Sequence, residues 1–132
     1  MPDFAELFRA PKQEGTLLVL FMPSADREGV ALGNKQQKRW VRKALKLLGR
    51  TLGGGTAFPR GWGVWRDDAQ GGRLVWDRPV LIQCFTNEES LKAEAASIRD
   101  FLVELGTTTN QGAIGFVIDR SYYELQFPLE GG

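Results

Sequence analysis

The chain has 132 residues, enough for one domain with a single hydrophobic core and no covalent staples. Its 17 Lys and Arg nearly balance 16 Asp and Glu, leaving a net charge of +1, so global charge names no partner. It holds no histidine and one cysteine, Cys84, which removes Ser-His-Asp and Cys-His pairs, histidine bases, Cys/His zinc sites and internal disulfides.

Met1 to Glu14 mixes acids and bases and lacks the apolar run of a signal peptide. No apolar stretch approaches the roughly 20 residues of a membrane span. With a lone cysteine, these features predict a cytoplasmic protein with no membrane partner.

Thr16 to Met22 is apolar after its first residue and ends at Pro23. It reads as a strand buried on both faces. A polar, glycine-containing loop runs from Ser24 to Gly33. Asn34 and Gln37 stand in capping-box spacing, so a helix is expected over 35–52. Trp40, Val41, Ala44, Leu45 and Leu48 make its apolar face, and Gly53 to Gly55 stop it. Gly61–Asp67 and Arg73–Asp77 flank a hairpin signal at 68–72. Pro79 interrupts the second strand with a bulge or bend, and Val80 to Phe85 resumes it. Thr86 and Glu89 repeat the capping-box spacing before a helix over 88–105, which Gly106 ends. A further strand is expected over 111–119, and 121–127 adds a short one.

This order, β-α-β-β-α-β, predicts an α+β, ferredoxin-like domain over 16–127. Its antiparallel four-stranded sheet would carry two helices on one face. Residues 1–15 form an N-terminal segment and 128–132 a flexible tail. A first strand apolar on both sides requires that the bare sheet face be covered. A homodimer through that face would cover it, as would Phe4, Leu7 and Phe8 of the N-terminal segment.

The first helix carries Lys35, Lys38, Arg39, Arg42, Lys43, Lys46 and Arg50 and no acid. Like charges at this spacing repel. Either Glu88, Glu89, Glu94, Asp100 and Glu104 of the second helix compensate them, or the helix contacts an anion such as a nucleic-acid backbone or an acidic protein. The third strand, Leu74 to Asp77 and Val80 to Phe85, does not match the aromatic pattern of a base-stacking RNA-binding sheet.

The densest polar constellation is Thr56 to Asp68. Trp65 offers a flat apolar wall, and Arg60 and Arg66 suit a carboxylate or phosphate. With Asp67, Asp119 and Tyr123 they form the candidate ligand-binding set. An ordinary turn and strand with packed indoles accounts for the same residues. Asp26, Asp67, Asp68, Asp77 and Asp119 are the carboxylates open to a hard cation. Turn roles explain them better, since Asp is a common turn residue, and no metal or cofactor is implied. Gly53-Gly-Gly-Thr56 follows a helix and lacks the Gly-Lys-Ser/Thr ending, so it is no phosphate loop.

The strings Gly-Gly-Thr-Ala-Phe-Pro (54–59), Gly-Val-Trp-Arg-Asp-Asp (63–68), Asn-Gln-Gly (110–112) and Val-Ile-Asp (117–119) with Tyr122-Tyr123 resemble a family of short, uncharacterised bacterial proteins. The likeness covers about 17–123. A looser likeness, in the Phe-Pro-x-Gly turn and tryptophan-bearing hairpin, links a second small bacterial family with a ferredoxin-like fold. These resemblances imply a bacterial, cytosolic setting and the fold, and assign no catalytic residue.

The sequence thus points to a non-catalytic binding or regulatory module that dimerises and meets an anionic partner. The alternative is a small enzyme with a pocket at the hairpin, where Arg66, Asp67, Asp119 and Tyr123 replace histidine chemistry. A metal-dependent nuclease is the third reading, and it needs two carboxylates sharing one ion.

Overall fold

A computed structural model describes residues 2–129. Of the expected tail only Pro128 and Leu129 fall among them; the rest lies outside the described residues.

The chain is α+β with a mostly antiparallel sheet. In order it forms α1 (Phe4–Phe8), β1 (Thr16–Met22), α2 (Asn34–Leu52), β2 (Thr56–Ala57), β3 (Gly63–Asp67), β4 (Arg73–Asp77), β5 (Val80–Thr86), α3 (Glu88–Ala93), α4 (Ala95–Thr108), β6 (Ala113–Ile118) and β7 (Ser121–Gln126). The main sheet has five strands in the order β2-β5-β1-β6-β7, and β3 and β4 pair only with each other. The expectation of a single four-stranded sheet is therefore corrected. Pro79 is the physical reason on one side. It cannot donate to a ladder, so the strand ends at Asp77 and restarts at Val80 in a different sheet.

The central strand alternates. Thr16, Leu18, Leu20 and Met22 are buried, and Leu17, Val19 and Phe21 are half-buried. It is thus buried fully on one face only, against the expectation of two. The buried set meets Cys84, Ile82 and Val80 across β5. Trp40, Ala44 and Leu48 of α2 and Ile98, Phe101, Leu102 and Leu105 of α4 close this core. Leu20, Met22, Ala44, Leu48, Ile82 and Leu105 are 0% exposed, the signature of a packed interior. The helices meet where the Trp40 and Phe101 rings lie 5.9 Å apart in a tilted pair.

The N-terminal segment does not cover the other sheet face. Phe4, Leu7 and Phe8 of α1 are 78%, 62% and 75% exposed. Part of that face is instead overhung by the β3–β4 hairpin of the same chain.

Both expected caps shift. Gly33, not Asn34, is the N-cap of α2, and it makes no side-chain cap bond. Asn87, not Thr86, caps α3, its Oδ1 accepting from the Ser90 N–H at 2.8 Å. The expected single helix over 88–105 breaks at Glu94 and continues to Thr108. Gly106 does not end α4. A Cβ there would stand 2.1 Å from Phe127 Cζ, so glycine lets the Phe127 ring seat against the helix.

Cys84 is 1% exposed, and burial pushes its thiol pKa up. A buried thiol held protonated is a poor nucleophile. We expect no measurable labelling of native protein by a maleimide or by Ellman's reagent over an hour at pH 7.5, and full labelling in denaturant. Rapid labelling of native protein would show that β5 opens readily.

Candidate functional site

A cleft of about 440 Å³ lies between the hairpin and the sheet face turned away from the helices. Three segments build it. The first is the hairpin, whose register pairs Trp65 with Val75, Gly63 with Asp77 and Asp67 with Arg73. Side chains alternate along a strand, so Trp65, Asp67, Val75 and Asp77 share one side of the ribbon. All four line the cleft, and Arg66 and Trp76 also reach its lining.

The second segment is the turn after β1. Pro23, Ala25, Asp26 and Arg27 line the cleft. Asp26 Oδ1 accepts the N–H groups of Glu28 and Val30 at 2.8 and 2.9 Å. The bond from Val30 is the largest effect and lowers its pKa; desolvation, the next largest, opposes it, and the bonds from Glu28 and Asn110 with the nearby Arg27 charge leave the net direction downward. Asp26 therefore stays charged through the neutral range and keeps the turn closed. Arg27 donates to the Gln111 carbonyl, and its own N–H bonds to the Asn110 carbonyl at 2.9 Å. Gln111 answers by donating to the Ala25 carbonyl at 2.9 Å. Asn110 holds a left-handed φ of 53°, which asparagine tolerates better than most residues.

The third segment is the sheet floor: Phe21 of β1, Ala113, Ile114 and Gly115 of β6, and Tyr122 and Glu124 of β7. The Tyr122 ring lies across Gly115, where a Cβ would come 2.1 Å from its hydroxyl. Tyr122 donates to Glu124 at 3.2 Å. Burial, then the Glu124 charge and hydrogen bond, raise its pKa, so Tyr122 is a neutral hydroxyl at physiological pH.

Four carboxylates (Asp26, Asp67, Asp77 and Glu124) face two guanidiniums (Arg27 and Arg66) around the cleft. Arg66 is engaged by Asp68 at 2.6 Å, and Asp67 stands 3.8 Å from Arg73. Asp77 holds the hairpin base: its Oδ1 accepts from the Ser24 and Arg78 N–H groups at 3.0 and 2.9 Å and from the Ser24 hydroxyl. The balance of lining charge is negative, which favours a cationic ligand.

The chain shares its fold with a phage SAM lyase. The structure of that lyase in complex with S-methyl-5'-thioadenosine superposes with a TM-score of 0.63 at 14% identity, covering 87% of this chain and 92% of the lyase. A phage SAM lyase in the apo state gives 0.59 at 15% identity, covering 90% and 98%. No protein-family model and no curated protein matches the chain.

Of the six residues singled out at the hairpin and the last strands, the cleft gathers Trp65, Arg66 and Asp67. Arg60, Asp119 and Tyr123 are not among its lining, so the four-residue convergence of Arg66, Asp67, Asp119 and Tyr123 is not formed. Arg60 is turned to the start of α2, where its Nε donates to Gln37 Oε1 at 2.8 Å and its guanidinium also meets Asn34. Asp119 sits in the tight β6–β7 turn with φ 53° and accepts the Leu17 N–H at 2.9 Å, fastening the start of β1. Tyr123 stacks on Phe116, ring centroids 5.3 Å apart, on the helix side of the sheet.

The turn fixes this parity. Ile118 pairs with Ser121, so Tyr122 falls opposite Val117 on the cleft side and Tyr123 opposite Phe116. The two-residue loop between Ile118 and Ser121 was the available signal. The contribution of Asp26, Arg27 and Gln111 had no local signal, because it comes from two turns far apart in sequence.

Among the described residues no three acidic or thiol side chains come together as a metal site. The basic residues of α2 lie on the opposite side of the molecule. Among the described residues, the ion pair they make with the acidic helices is Lys43–Glu104 at 3.5 Å, so the expected mutual compensation is slight.

Proposed function

We propose that the chain is a small enzyme whose cleft takes a sulfonium nucleoside of the S-adenosylmethionine class. The observation that carries this reading is the charge and shape of the cleft. Its volume, about 440 Å³, suits one nucleoside-sized molecule. S-adenosylmethionine brings a sulfonium and an ammonium, which the excess of Asp and Glu complements. Its single carboxylate suits Arg27 or Arg66. Trp65 and Trp76 supply flat faces for a purine. The fold shared with a phage SAM lyase supports the same ligand class.

The chemistry fits a site with no histidine. The sulfonium sulfur leaves as a neutral thioether while the ligand's own carboxylate oxygen bonds to the carbon it departs from and closes a lactone, so the step needs neither a proton for the leaving group nor a histidine base. The protein's part is then to orient the ligand, exclude water and hold the positive charges. Asp67 and Glu124 hold the cationic groups, Trp65 stacks on the base, and the neutral Tyr122 hydroxyl orients.

We also read β1, α2, β2, β5, α4 and β6 as a ferredoxin-like frame. The order β2-β5-β1-β6 supports this, with β2 cut to two residues and the hairpin inserted after it.

Calorimetric titration with S-adenosylmethionine and with S-methyl-5'-thioadenosine tests the ligand, and chromatography of the reaction mixture tests turnover. We expect micromolar binding of at least one and release of the thioether from the first. Trp65→Ala is expected to weaken binding about tenfold, a loss of one stacked face. No heat and no thermal shift with either molecule at millimolar concentration overturns the reading.

A further inference from the structure

The cations of α2 form one continuous stripe. Lys35, Lys38, Arg39, Arg42, Lys43 and Lys46 follow the spacing i, i+3, i+4, i+7, i+8, i+11, which places them within about 140° of the helix circumference and along about 16 Å of its axis. All six are exposed and together line a shallow groove. Gln37, Trp40, Ala44 and Leu48 bury the opposite side of the helix.

The fold does not neutralise this stripe. No acidic residue lies between Asn34 and Leu52. Lys43 meets Glu104 at 3.5 Å, both half-exposed, and also lies 4.7 Å over the Trp40 ring. Among the described residues the other five have no ion pair. Like charges three and four residues apart repel, so the arrangement costs stability in isolation.

The surroundings select among polyanions. The stripe carries no exposed aromatic, since Trp40 is 6% exposed, so it offers no platform for stacking unpaired bases. It also lacks the exposed apolar side chains with which an amphipathic helix enters a lipid surface. What remains is a row of positive charge held on one face of a helix, complementary in sign to a row of phosphates. Duplex DNA presents one charge per about 1.7 Å of axis, so a 16 Å stripe meets several phosphates at once.

We propose that the outer face of α2 docks on the phosphate backbone of duplex DNA, without reading its sequence. The proposal is independent of the ligand assigned to the cleft, which lies across the sheet from α2.

Fluorescence anisotropy with a labelled duplex of about 24 base pairs tests it, with salt raised from about 50 to 200 mM. We expect micromolar binding at the lower salt. The logarithm of affinity should fall against that of salt with a slope of about −3 to −5, the mark of several released counterions. Lys38→Glu/Arg42→Glu/Lys46→Glu should lose more than about tenfold in affinity with an unchanged circular dichroism spectrum. Should that variant misfold, Lys38→Gln/Lys46→Gln is expected to flatten the salt slope by about 2. Absence of binding at low salt overturns the proposal. So does equal binding by the glutamine variant, or binding to phosphatidylserine vesicles in place of the duplex.

Discussion

Replacing Gln37 with Leu is expected to lower stability by about 3 kcal/mol or more, although leucine matches its size and helix propensity. Gln37 is 3% exposed. Its Nε2 donates to the carbonyls of Pro23 and Arg78, each at 3.2 Å, and lies 3.4 Å from that of Met22. Its Oε1 accepts from Arg60 Nε at 2.8 Å. One amide thus joins α2, the end of β1, the link between β4 and β5, and the turn before β3. Leucine leaves these carbonyls without their donor, and a buried unsatisfied polar group costs about 1–3 kcal/mol. Urea denaturation followed by tryptophan fluorescence measures the effect, which should move the midpoint and leave the slope unchanged. The loss also frees Arg60 and loosens the base of the hairpin, so ligand affinity should fall with stability. A change below about 0.5 kcal/mol would mean that water replaces the amide at all its partners.

Gly115→Val is expected to reduce affinity for the cleft ligand by at least about a hundredfold while the protein remains folded. At this position a Cβ would stand 2.6 Å from Tyr122 Cζ and closer still to its hydroxyl. No rotation of valine avoids that overlap, so the Tyr122 ring must leave the floor. It is half-exposed and has solvent to move into, so the stability cost should stay at about 1–3 kcal/mol. Binding loses more, because the displaced ring enters the cleft and parts from Glu124. Tyr122→Phe isolates the hydroxyl, keeping the ring over Gly115 and removing the bond to Glu124. Calorimetry on both variants, with thermal unfolding as the control, separates shape from hydrogen bonding. Undiminished affinity in Gly115→Val would exclude the β6–β7 floor from the site.

Periodicity made much of the secondary structure readable. The apolar run of β1, the amphipathic stretch of α2 and the hairpin signal between Asp67 and Arg73 each rest on local chemistry. Helix ends were less readable, because Asn34 and Asn87 compete with adjacent residues for the cap and packing decides between them. What local patterns could not show is which strands share a sheet. Pro79 announces a break, but nothing nearby says that the strand before it leaves the sheet. The site suffered most from this. Asp119 and Tyr123 were attractive by residue type, yet a turn and a one-residue change of parity send both elsewhere. Trp65, Arg66 and Asp67 stay together at the cleft because a hairpin carries its own register.

The hairpin makes no strand pairs with the five-stranded sheet, and none of its residues belongs to the main core. The hairpin is thereby set apart from the stretches whose packing holds the sheet and helices together. Between Val64 and Val75, away from the contacts that Asp77 and Arg78 make at the hairpin base, a change of length or side chain falls outside the packing of the sheet and helices behind it. Such an arrangement lets one wall of the cleft be altered while the turns and the β6–β7 floor that form its other walls stay in place.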